Sequence, residues 1–185
     1  MEGISELFGQ TTSSPTEIEI IRSRSVLGPV VSNLNLHLDI QPNTFPVFGK
    51  AIARAHGDQT LAPPLLGMSS YTWGGEKLDI GRFEINGDLA AKPTNWTLIA
   101  SQNDSFRLMD EDMEPVLDGE VGKPARTSYK NSEISLFIPR LVANDGAEFG
   151  IRHLPFIEAI NELNQDLNVF ETAPGTNIIS ISIDG

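Results

Sequence analysis

A chain of 185 residues corresponds to one domain or two small ones at roughly 100 to 200 residues each, and 39% hydrophobic with 21% charged residues argues against disorder, collagen-like repeats and coiled coil. Thirteen Lys and Arg against 25 Asp and Glu give a net charge of −12, which argues against nucleic acid as a partner and against a phosphate-tracking surface. The absence of cysteine removes disulfides, thiol nucleophiles and zinc–thiolate sites, while leaving the redox compartment open.

In chain order, Ser14-Pro15-Thr16-Glu17 forms a capping box with proline at the first helical position, so a helix is expected to start there. Its apolar face runs through Ile20, Leu27, Val31 and Leu34, with a kink or break expected at Gly28-Pro29. Leu36, Leu38 and Ile40 then alternate with polar residues as a half-buried strand, stopped by Pro42. A short helix is expected over Asn43–Ala55, followed by a Pro- and Gly-rich connector from Asp58 to Gly75 that marks a domain boundary.

Beyond it the period changes to short strands: Leu78 to Ile85, Trp96 to Ala100, Phe106 to Met109, Val116 to Val121, Ile134 to Ile138 and Phe149 to Ile151. Closely spaced strands with turn residues between them indicate a β-sandwich, jelly-roll-like, or a small barrel rather than β-α-β layers. Helical spacing returns in Phe156, Ile160, Leu163 and Leu167, and two strands around Pro174-Gly175-Thr176-Asn177 close the chain as a hairpin. Both chain ends leave an apolar face to bury, so the expected fold class is α+β. In it, residues 1–74 and 153–185 form a small α/β base with helices packed on a shared sheet, and residues 75–152 form an inserted all-β domain.

Chemistry is sparse. Gly49-Lys50-Ala51 and Gly122-Lys123-Pro124 lack the spacing of a phosphate loop, and Gly67-Met68-Ser69-Ser70-Tyr71 lacks the closing glycine of a nucleophile elbow. His37, His56 and His153 show no ligand pairing, and the acidic run Asp110 to Glu114 has Pro115 where a calcium loop needs glycine, so it reads as a solvated hairpin tip. No catalytic, cofactor-binding or metal-binding residue is expected. Trp73 and Trp96, with Tyr71 and Tyr129, are weak candidates for stacking on a sugar, the alternative function being a lectin-like glycan-binding module. A structural adhesin or pilus subunit is a third class. Glu19, Arg22 and Arg24 on the first helix are candidates for contact with a neighbouring subunit.

Several strings carry more than composition does. Glu17-Ile18-Glu19-Ile20-Ile21-Arg22-Ser23-Arg24-Ser25-Val26-Leu27, followed by Val30-Val31 and Leu34, resembles the signature helix of the chain-length determinant family, the bacterial polysaccharide co-polymerases. Phe45-Pro46-Val47-Phe48-Gly49-Lys50, Trp73-Gly74-Gly75-Glu76-Lys77-Leu78, Phe106-Arg107-Leu108 through Gly122, and Leu163 to Ile183 follow in the family's order. The resemblance is to its larger members, exopolysaccharide-transport proteins with a cytoplasmic tyrosine autokinase domain.

The resemblance implies a non-enzymatic part on the periplasmic face of the bacterial inner membrane. It also implies a membrane-anchored homo-oligomeric ring that sets chain length or export of a surface polysaccharide, with polymerase or export machinery, and polysaccharide itself, as partners. No stretch here reaches the roughly 18 to 20 apolar residues of a membrane span. Met1-Glu2-Gly3 does not read as a targeting signal. An excised periplasmic fragment is therefore expected.

Overall fold

The computed structural model describes residues 14–46, 49, 51, 54, 60–173 and 175–183. The elements in chain order are α1 (Ser14–Ile21), α2 (Arg24–Asn33), β1 (Leu38–Pro42), β2 (Lys77–Asp79), β3 (Arg82–Gly87), β4 (Thr94–Ser101), β5 (Ser105–Met109) and β6 (Pro115–Glu120). They continue with β7 (Pro124–Tyr129), β8 (Ser132–Phe137), β9 (Arg140–Val142), β10 (Glu148–His153), α3 (Phe156–Asp166), β11 (Leu167–Glu171) and β12 (Ile179–Ile183). Both helices and strands are well represented, as the α+β class requires.

The chain divides into two units, Met1–Leu36 with Phe156–Gly185, and His37–Pro155. In the second, β1-β10-β4-β5-β6 form a five-stranded antiparallel sheet and β3-β8-β7 a three-stranded one, with β2 paired to β9. Period-2 alternation sends one side of each strand inward. Phe83 and Ile85 from β3 and Ile134 and Leu136 from β8 join Trp96, Leu98, Phe106, Leu108, Phe149 and Ile151 from the larger sheet in one apolar core. Each such side chain contributes roughly 1.5 to 3 kcal/mol when fully buried. The core sets local sequence in return: a Cβ on Gly119 of β6 would lie 2.3 Å from the buried Phe106 ring, so only glycine fits there.

In the other unit, α2 lies against α3, and β11 pairs with β12 from Leu167↔Ile183 to Glu171↔Ile179. Leu27 and Val31 of α2 and Ala159 and Ile160 of α3 are buried. The expected break at Gly28-Pro29 falls earlier, at Arg22-Ser23. Ser23 is extended (φ −68°, ψ 151°), and its hydroxyl donates to the Ile20 carbonyl at 2.6 Å, closing α1, while Pro29 is accommodated inside α2.

The larger difference concerns β1. It was expected in the base sheet, and instead pairs with β10 across five positions from Leu38↔His153 to Pro42↔Phe149, with Leu38 and Ile40 packed on the sandwiched core. The Pro-rich connector is likewise no boundary. Ala62 donates its amide to the Gly74 carbonyl at 2.8 Å, Asn144 Nδ2 donates to the Ala62 carbonyl at 2.7 Å, and Thr72 and Trp73 are buried. The expected division at 74/75 and 152/153 is therefore drawn at 36/37 and 155/156, and among the described residues the base sheet holds only β11 and β12. The helix expected over Asn43–Ala55 lies largely outside the described residues.

Residues 37–155 alone should accordingly unfold in one cooperative transition, whereas 75–152, which lacks β1 and Trp73, should bind a hydrophobic dye and melt without a sharp transition. Circular dichroism melts of the two fragments check this; equal behaviour would contradict the boundary.

Candidate functional site

Of the helix residues expected to face a neighbour, Arg22 is committed within its own unit. Its guanidinium donates to the Asn164 carbonyl at 3.1 Å, to Asn164 Oδ1 at 3.2 Å and to the Leu167 carbonyl at 2.8 Å. The Asn164 carbonyl lies in the last turn of α3, where helix geometry leaves acceptors without intrahelical partners and a cation is favoured, and Leu167 opens β11 directly after it. Arg22 therefore fastens α1 to the end of α3. Glu19 and Arg24 are exposed, and their side chains make no hydrogen bond or ion pair among the described residues.

The tryptophans do not form a platform. Trp73 is 2% and Trp96 4% exposed; the Trp73 indole donates to the Met68 carbonyl at 3.0 Å and the Trp96 indole to Thr94 Oγ1 at 2.9 Å. Trp73 stacks on Phe45 at 5.5 Å, and Trp96 meets Phe83 and Tyr129 edge-on, so the aromatic residues belong to two separate packed clusters. Neither indole offers a face to a sugar.

Polar groups converge instead at the turn between β5 and β6. Asp110, expected in a solvated tip, is 5% exposed. Its Oδ1 accepts the amides of Asp112 (2.9 Å) and Glu114 (3.0 Å), and its Oδ2 accepts the Tyr129 hydroxyl and Lys130 Nζ (3.1 Å). The Tyr129 hydroxyl, seconded by the Glu114 amide, holds this carboxyl well below the usual carboxylate range, and the same bond raises the Tyr129 phenol. Beside it lies a 240 Å³ pocket whose rim includes Lys92, Asn95, Glu111 and Asp112. Every lone pair of Asp110 is engaged, so it orders the turn and leaves no free base for chemistry. Among the described residues no three His, Asp or Glu side chains come together as metal ligands.

A second polar pair, buried His153 and half-buried His37, lies where the chain enters and leaves the β unit. The His37 and His153 rings meet edge to face at 5.5 Å, and His153 also meets Phe83 at 5.5 Å. Burial, with repulsion from His37, pushes the His153 pKa down to about 4.

A profile of the N-terminal domain of tyrosine-protein kinase Wzc matches residues 38–154, more than half the chain. The chain belongs to that family. The matched stretch falls within one residue of the bounds of the β unit at each end. Among curated relatives, the putative tyrosine-protein kinase EpsB of Ralstonia nicotianae is 32% identical over 98% of this chain and 24% of its own length. A putative tyrosine-protein kinase of the cps region of Klebsiella pneumoniae is 29% identical over 95% of the chain and 22% of its own. Tyrosine-protein kinase etk of Escherichia coli is 23% identical over 100% and 23%. The chain thus spans about a quarter of the length of these relatives, and the part it matches is the N-terminal domain, not the kinase. No helix among the described residues is long and apolar enough to cross a membrane.

Two measurements check the geometry. Arg22→Ala should destabilise the chain by about 2 kcal/mol by stripping three acceptors of their donor, whereas Arg24→Ala should stay within about 0.5 kcal/mol; urea titrations of both variants decide. Because the pKa of His153 is depressed, its contribution is complete above the unfolded value near 6.5. It is lost as pH falls from there towards about 4, since the unfolded chain takes up the proton and the folded chain does not. The loss is on the order of 3 kcal/mol, and His153→Phe should flatten the melting temperature between pH 7 and pH 4.5.

Proposed function

We propose that the chain is the periplasmic portion of an inner-membrane polysaccharide co-polymerase, whose copies assemble and control the chain length or export of an exopolysaccharide or capsule. The observation that carries this is the family match over the whole β unit, together with alignment of 95 to 100% of the chain to tyrosine kinases of this kind. In this reading the His37–Pro155 unit is a jelly-roll-like β-sandwich inserted into an α/β base, and the base makes the contacts between copies. The exposed apolar side chains support that assignment. Leu34, Phe170, Ile178, Ile181 and Ile183 of the helix-and-hairpin unit are each more than half exposed, a density that a unit working alone would not keep. Glu19 and Arg24 add an exposed charge of each sign on the helical part of the same unit. Tethering in one membrane raises the effective concentration to about millimolar, so each contact can be weak and the assembly still persist.

The experiment replaces residues 37–155 of the full-length protein in an exopolysaccharide-producing host with a short Gly-Ser bridge, and separately introduces Glu19→Lys with Arg24→Glu. Secreted polymer should shift in length or fall in amount with the first change, and cross-linked oligomers should diminish with the second, at unchanged melting temperature of the isolated chain. Unchanged polymer and unchanged cross-linking would overturn the proposal.

A further inference from the structure

The outward face of the three-stranded sheet is a trough of about 620 Å³ lined by polar side chains. Its shape follows from the register. Ser135 of β8 lies between Glu84 of β3 and Arg126 of β7, and the next row along sets Glu133 between Asn86 and Ser128. Short serine side chains form the floor and one wall, while longer Glu84, Arg126 and Glu133 rise around them. Two residues on from Ser135, the half-buried Phe137 lies on the same outward side between Arg82 and Pro124.

What sets this face apart is its unused hydrogen-bonding capacity. The side chains of Asn86, Arg126, Ser128, Glu133 and Ser135 make no hydrogen bond or ion pair within the described residues; only Glu84 is engaged, by Arg82 at 3.6 Å. The outward face of the five-stranded sheet instead ties Arg107 to Asp118 at 2.6 Å and Gln41 to Asp39 at 3.0 Å. The trough's lining carries two glutamates and one arginine, and Arg82 just outside it pairs with Glu84, so no cation there goes uncompensated on a chain of −12. That arrangement disfavours a phosphate or a polyanion, which would seek uncompensated cations. Guanidinium, carboxylate and carboxamide each present two hydrogen-bonding atoms in one plane, the arrangement that adjacent sugar hydroxyls match, and serine hydroxyls both donate and accept.

We propose that the β3-β8-β7 face binds a stretch of uncharged oligosaccharide lying along β8, so that the β unit touches the polymer itself. The assignment of sugar rests on the co-polymerase reading given above, while the location rests on the trough. Binding is shallow and weak, with a Kd of about a millimolar, since an open face leaves much of the ligand in water.

The test uses the ¹⁵N-labelled 185-residue chain. One titrant is a set of oligosaccharides of about six sugars, cut by mild acid from the exopolysaccharide of the producing strain, long enough to run the full length of the six-residue β8, about 20 Å; the other is hexagalacturonate. Saturable amide shifts are expected around residues 84–86, 126–128 and 133–135 with the first and not with the second. Arg126→Ala should weaken binding by about tenfold, and Ser135→Trp, which fills the floor, should abolish it; Glu111→Ala, at the separate pocket beside Asp110, should change nothing. Because Ser135→Trp adds bulk to the sheet, its amide spectrum must keep the dispersion of the parent, and Arg126→Ala carries the test if it does not. Absence of saturable shifts, shifts centred elsewhere, equal binding of hexagalacturonate, or indifference to Arg126→Ala would each overturn the inference. The co-polymerase reading fails separately, through unchanged polymer length on removal of residues 37–155.

Discussion

Pairing of β1 with β10 is the contact on which the rest of the architecture depends. It joins residues 38–42 to residues 149–153, more than a hundred positions apart, and places the first and last strands of the β unit side by side. Directly beyond it, the Leu154 amide donates to the His37 carbonyl at 2.8 Å. Neighbouring antiparallel strands hold their Cα atoms about 5 Å apart, so the chain leaves the β unit next to where it came in. The stretch so closed is long in sequence, and its closure entropy grows only slowly with length.

Much of this was legible in the sequence because period is local. The capping box at Ser14 located α1 and the 4-3 spacing after Phe156 located α3, although Leu167, the next step on that face, opens β11 instead; alternation located β4, β5, β6, β8 and β10. Two strands left no such trace. β7 begins on a proline and runs Pro-Ala-Arg-Thr-Ser-Tyr, with no apolar row to bury, and β9 has three residues. Alternation at Leu38 and Ile40 says that one side of β1 is buried, but it is silent about the partner. The pattern alone is therefore equally compatible with the base sheet, and only the pairing with β10 decides. Proline and glycine between 58 and 75 signalled a turn-rich segment correctly and a boundary incorrectly, since the bonds that hold it come from Asn144 and Asn43, distant in sequence.

The candidate residues divide along the same line. Arginines two apart on a helix diverge, which leaves pairing with Glu19, a neighbouring subunit or solvent equally open, and nothing local shows that the Arg22 guanidinium reaches acceptors of Asn164 and Leu167. Two tryptophans in separate regions favour core packing over a stacking platform, and both indoles are core. The trough on β3-β8-β7 went unread because one wall is the strand with no apolar pattern; once β7 is in place, the register alone aligns Glu84, Ser135 and Arg126. A polar strand beside two amphipathic ones is a weak signal in sequence and a definite one in three dimensions.

Native-state amide exchange of the intact 185-residue chain tests the dependence on β1 most directly. If pairing with β10 closes the β unit, the hydrogen-bonded amides of β1 should exchange through the same global opening as those of β4, β5 and β10, with the same denaturant dependence. If the β1 amides open at lower free energy, together with those of α1 and α2, then β1 belongs energetically to the helical unit and the division at residues 36 and 37 is wrong.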